Sequence, residues 1–128
     1  MVLQKTETLY ERDEKGELLP QEVSLEIGTK KTLDKYKDEK IIVTPLPRGE
    51  LKKFFKEVAN PDNSEIDYDG QLILEHCINP KYTDDEVKCI KPDLTAAIVD
   101  TILRESGISV KNGKKKSTKE AEDNFSKN

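Results

Sequence analysis

The strongest constraint on this chain lies between Gly70 and Gly107. Its apolar residues are concentrated there, and the stretch is cut at Asn79-Pro80, at Lys91-Pro92 and at Gly107. Proline lacks a backbone donor and restricts the residue before it, so each cut marks the end of an element. Residues 66–78 read as one helix, with Ile66, Gly70, Ile73 and Cys77 on one face and Leu74 and Ile78 widening it. Thr83-Asp84-Asp85-Glu86 has the form of a capping box. Asp84 and Asp85 there complement the positive end of a short helix, which Val87 and Ile90 anchor. Beyond Pro92, Asp93 reads as the N-cap of a final helix. That helix has two apolar faces: Leu94, Ala97, Ile98 and Ile102 on one, Ala96, Val99 and Leu103 on the other. A helix apolar around most of its girth is either central or buried on two sides, and the second face is a candidate interface. Ser106-Gly107 supplies the stop, with Ile108 making a contact beyond it.

The preceding residues read differently. Thr6, Thr8 and Tyr10 alternate with Glu7, Leu9 and Glu11, a weak strand pattern. Asp13-Glu14-Lys15-Gly16 is a polar turn. Val23, Leu25 and Ile27 alternate with Ser24 and Glu26, a clear half-buried strand. A hairpin over residues 3–27 is therefore expected. Residues 28–40 form a charged connector with Leu33 and Tyr36 at helical spacing. Ile41-Ile42-Val43 is β-branched and favours a strand, ended by Pro45 and Pro47. After Pro47, which suits a first helical turn, Leu51, Phe54, Phe55 and Val58 recur at i, i+3, i+4 and i+7. Asn60-Pro61 breaks that helix.

The expected fold is α+β: a small antiparallel sheet over residues 1–46, about four helices over 47–108, and a lysine-rich tail at 111–128. The first two regions make a single domain spanning 1–110. The tail carries Lys114-Lys115-Lys116 and one aromatic, Phe125, and has too little apolar surface to fold alone.

Charge and residue chemistry narrow the function. The net charge is −4, which argues against a general nucleic-acid binder. No apolar run approaches the roughly 20 residues of a membrane span, and no signal peptide is recognisable, so an intracellular, reducing location with free thiols is expected. His76 is the only histidine, next to Cys77 and twelve positions before Cys89. A zinc site would need a fourth ligand at regular spacing. Neighbouring helical residues point about 100° apart, which argues against a Cys–His nucleophile pair. The acids Asp67, Asp69, Asp84 and Asp85 are the remaining candidates for metal or acid/base work, and capping accounts for Asp84 and Asp85. The expectation is a chain with no catalytic residue, metal or cofactor, one that binds a partner. Two apolar faces are open for that role: Leu51, Phe54, Phe55 and Val58, or Ala96, Val99 and Leu103.

A resemblance sharpens this. Val43-Thr44-Pro45-Leu46-Pro47-Arg48-Gly49-Glu50-Leu51, followed by an amphipathic helix, resembles the opening of tail assembly chaperones of long-tailed bacteriophages and prophages. The segment from His76 to Glu86 is similar to their cysteine, proline and capped acidic turn, and the helix ending at Ser106-Gly107 to their closing helix. The likeness covers roughly residues 41–108. It implies a non-enzymatic protein that coats the tape measure protein and keeps it soluble in the host cytoplasm, and that is absent from the finished virion. It also implies a longer, frameshifted form that recruits tail tube protein, with the frameshift placed near Lys114-Lys115-Lys116. Self-association is compatible with it, and neither nucleic acid nor membrane is an expected partner. The alternatives are a structural virion component, such as a small tail or head-completion protein, and a small enzyme or nuclease subunit.

Overall fold

The computed structural model describes residues 2–28 and 31–108, so the expected tail lies outside the described residues. The fold is α+β. Three strands, β1 (Gln21–Ser24), β2 (Lys40–Val43) and β3 (Cys77–Asn79), form an antiparallel sheet in the order β1-β2-β3. Among the described residues four α-helices accompany it: α1 (Arg48–Ala59), α2 (Tyr68–His76), α3 (Asp84–Val87) and α4 (Pro92–Glu105).

The sheet departs from expectation at both edges. No strand forms at Thr6–Glu11; Lys5–Thr8 is a 3-10 turn. That segment has no apolar face to bury, since Leu9 and Tyr10 are both exposed. The turn at Asp13 to Gly16 is present, framed by one bridge between Arg12 and Leu18, but it joins no long hairpin. β1 pairs instead with β2, placing Val23 opposite Ile41. β1 also ends earlier than the alternation predicts. The Leu25 N–H still reaches Glu39 O at 3.1 Å, but the Glu26 N–H donates to Thr101 Oγ1 at 2.7 Å. The Glu26 N–H faces away from β2, and a side chain of α4 pairs it there.

The third strand comes from residues read as helix. α2 starts at Tyr68, capped by Asp67, whose Oδ1 accepts from the Gly70 N–H at 3.0 Å. It stops at His76, whose carbonyl accepts from the Thr44 N–H at 2.8 Å, just beyond β2. Once that carbonyl is on the sheet, Cys77 continues in extended conformation as β3, with a register shift opposite Ile42 and Val43. Cys77 is buried and Ile78 points outward. Ile66, expected on the helical face, precedes the helix and is exposed.

The other boundaries follow local chemistry. α1 begins one residue after Pro47, whose carbonyl accepts from the Leu51 N–H. The Thr83–Glu86 capping box forms in both directions, at 3.0 and 3.2 Å. Lys91, rather than Asp93, is the N-cap of α4; Pro92 takes the first helical position and Asp93 lies in the first turn. Gly107 ends α4 at φ +96°, and the Ile108 N–H returns to Leu103 O at 2.9 Å.

One hydrophobic cluster joins sheet and helices. It runs from Leu25, Leu33, Ile41 and Val43 through Leu51, Phe55, Leu72, Ile73 and Cys77 to Val87, Ala97, Ile98, Val99 and Ile102. Leu33 reaches it from a 3-10 turn, Lys31–Tyr36, inside the charged connector. α4 is its centre, and the end of α4 is fastened to the N-terminal half by side chains. Besides the Thr101 bond, Ser106 Oγ accepts from the Leu46 N–H at 2.8 Å, and Arg104 donates to Glu26 Oε2 at 2.9 Å and to Ser24 O at 2.6 Å. Tyr10 Oη donates to Glu105 O at 3.2 Å.

Candidate interaction groove

α1 and α2 leave a groove of about 240 Å³ between them. The helical period of α1 places Leu51 and Phe55 inward, which are 2% and 1% exposed. Phe54, one position round, is only half-buried and turns toward α2. There it meets Tyr68 edge-to-face, with ring centroids 6.2 Å apart and planes at 88°. Leu46 and Leu72 complete an apolar floor. This aromatic pair has the geometry that contributes beyond simple area burial.

The rim is acidic. Glu50 and Glu57 on α1 and Glu75 on α2 line it, against one lysine, Lys53. Burial, and then the Glu57 carboxylate, push the Tyr68 hydroxyl pKa above its ordinary value. His76 closes one end. Its Nδ1 lies 3.2 Å from both Thr44 O and Thr44 Oγ1. Burial lowers the imidazole pKa below 6.5, opposed by the Thr44 hydrogen bond and by Glu75 and Glu50. The ring is thus a hydrogen-bonded wall of the groove.

The chain matches no protein-family model, no curated protein and no solved structure.

Of the residues expected on binding faces, the structure brings only Phe54 into the groove. Leu51, Phe55 and Val99 are core residues with almost no accessible surface. Val58 is half-buried on α1, and Ala96 and Leu103 are half-buried on α4 away from the groove. The second face of α4 is therefore largely covered: Val99 is 2% exposed, and Leu103 packs against the cluster. Sequence reasoning missed Tyr68, Leu46, Leu72 and the three glutamates of the rim. The one available signal was Tyr68 itself, an aromatic in a polar first turn.

Cys77 is buried, its thiol pKa raised mainly by burial, and its Sγ donates to Pro80 O at 3.3 Å. Cys89 is free and exposed. Asp67 caps α2, while Asp84 and Asp85 lie in the first turn of α3. Among the described residues no group of three or more His, Cys, Asp or Glu is placed to hold a metal ion. None of the described helices is long and apolar enough to cross a membrane.

A second cleft lies between the Lys31–Tyr36 turn and the start of α4, lined by Lys35, Tyr36, Lys91 and Leu94 among others. Lys35 Nζ sits 4.9 Å from the centre of the Tyr36 ring. Lys35 and, more weakly, Lys91 lower the Tyr36 pKa against the effect of burial. This cleft is basic where the α1–α2 groove is acidic, and it lacks an aromatic pair.

Proposed function

We propose that this chain is a tail assembly chaperone of a long-tailed bacteriophage or prophage. It binds segments of the tape measure protein in the host cytoplasm and keeps them soluble until the tail tube assembles, and it does not enter the mature virion. A longer form of the chain recruits tail tube protein. The observation that carries this reading is the groove between α1 and α2. An apolar floor of Phe54, Tyr68 and Leu72 under an acidic rim fits an amphipathic client helix whose apolar stripe is flanked by basic residues. The resemblance of residues 43–51 and 76–86 to such chaperones supports the same reading, and Leu46, Glu50 and His76 from those segments line the groove.

A tape measure protein is long and helical and presents its apolar stripe repeatedly. Copies of a weak binder spaced along it gain by avidity, provided neighbours do not collide. Each groove then needs only modest affinity.

The test is co-expression with the tape measure protein of the same phage. The native chain is expected to keep that protein soluble and to co-purify with it. Phe54→Ala should lower capture at least tenfold while keeping the helical circular dichroism signal. Detection of the chain in purified particles, with no soluble tape measure complex, would replace this reading with a structural virion role.

A further inference from the structure

The groove between α1 and α2 has a candidate occupant within the same chain. Its rim carries Glu50, Glu57 and Glu75 against Lys53. The described chain ends close by. Leu46, on the groove floor, donates its N–H to Ser106 Oγ at 2.8 Å, and Ile108 follows two residues later. The sequence then continues through residues 109–128. Lys111, Lys114, Lys115, Lys116 and Lys119 come first, Glu120, Glu122 and Asp123 follow them, and Phe125 is the only aromatic of the segment. Extended chain spans about 3.3–3.6 Å per residue. The groove wall α1 has 12 residues, each rising about 1.5 Å. The segment is therefore several times longer than the groove, and the last described residues are one hydrogen bond from Leu46 on its floor.

We infer that residues 109–128 dock in the α1–α2 groove of their own chain, with the lysines along the Glu50, Glu57 and Glu75 rim and Phe125 on Phe54 and Tyr68. The attachment supplies a high effective concentration, so weak contacts suffice and a client helix of similar chemistry displaces the segment. The docking does not rest on the groove being the client site.

The chain contains no tryptophan, so Phe125→Trp in the full-length protein places a unique fluorophore on the segment. In the absence of any client, the expected emission is blue-shifted relative to a free tryptophan peptide, and independent of protein concentration. Adding Glu57→Lys and Glu75→Lys, or Lys114→Glu, Lys115→Glu and Lys116→Glu, should return it to the solvent-exposed position. Glu57→Gln with Glu75→Gln provides a milder pair, and a retained thermal transition shows that each variant is folded. Emission already at the solvent-exposed position overturns the proposal. So does a blue shift that ignores the rim substitutions, which places Phe125 elsewhere, or one that grows with concentration, which places it on a second copy. Because no client is present, these outcomes leave the client reading standing, and failure to solubilise the tape measure protein leaves the docking result standing.

Discussion

α1 and α4 begin with the same kind of pattern and end in different situations. Each has an apolar stripe at helical spacing, and on the sequence each is an equal candidate for the binding face. In the fold, α4 buries Ala97, Ile98, Val99, Thr101 and Ile102, and leaves Ala96 and Leu103 of its second face half-buried. α1 buries Leu51 and Phe55 but leaves Phe54 half-exposed over the groove. The lesson is that periodicity identifies which residues seek cover but not what supplies it. α4 has α2 beside it, and segments 24–26 and 46 are bonded to its side chains. On α1, half-buried Phe54 meets Tyr68 edge-to-face beside the groove.

The most severe way to break this comparison is a charge in α4. Val99→Asp should abolish the cooperative thermal transition. An unpaired carboxylate in the core costs several kcal/mol, and a domain of this size holds only about 5–15 kcal/mol in all. A folded Val99→Asp protein that had lost only its client would move the binding face to α4.

A smaller substitution sharpens why α4 tolerates a polar residue at its centre. Thr101 is fully buried, accepts from the Glu26 N–H and donates to Ala97 O at 2.7 Å. Thr101→Val keeps the shape and leaves the Glu26 N–H unpaired. The expected cost is about 1–3 kcal/mol in a denaturant titration. An unchanged midpoint would show that water reaches that amide.

The smallest effect is expected at the groove end. The His76 pKa is lowered in the fold, mainly by burial, so the unfolded chain binds its proton more tightly. The contribution of neutral His76 is present above the unfolded value of about 6.5 and is lost as pH falls from there through the lower folded value. The melting temperature should therefore decline on acidification below that point, and His76→Gln should flatten this part of the profile. A profile identical in the two proteins would mean that the ring is open to solvent, which would also loosen that wall of the groove.

Several features were legible in the chain because their causes are local. Pro47, Asn60-Pro61 and Gly107 stop or start elements through their own backbone restrictions, and these boundaries appear where expected to within a residue or two. The Thr83–Glu86 box forms because both partners lie within one turn. The stripe of α1 faces the core because helical spacing alone aligns Leu51 with Phe55. The α+β class follows from these together with the β-branched Ile41-Ile42-Val43 run.

What remained for the tertiary structure were the choices between equally good local options. Cys77, Ile78 and Asn79 can continue a helix or join a sheet, and the Thr44 amide on the His76 carbonyl decides for the sheet. Val23, Leu25 and Ile27 can extend as a strand, but pairing with β2 ends at Ser24, and the outward-facing Glu26 N–H is held by Thr101, 75 residues away. Phe54 and Val99 are both apolar residues on amphipathic helices. Only packing leaves one beside Tyr68 and an acidic rim and seals the other in the core, because burial depends on neighbours brought together from distant parts of the chain.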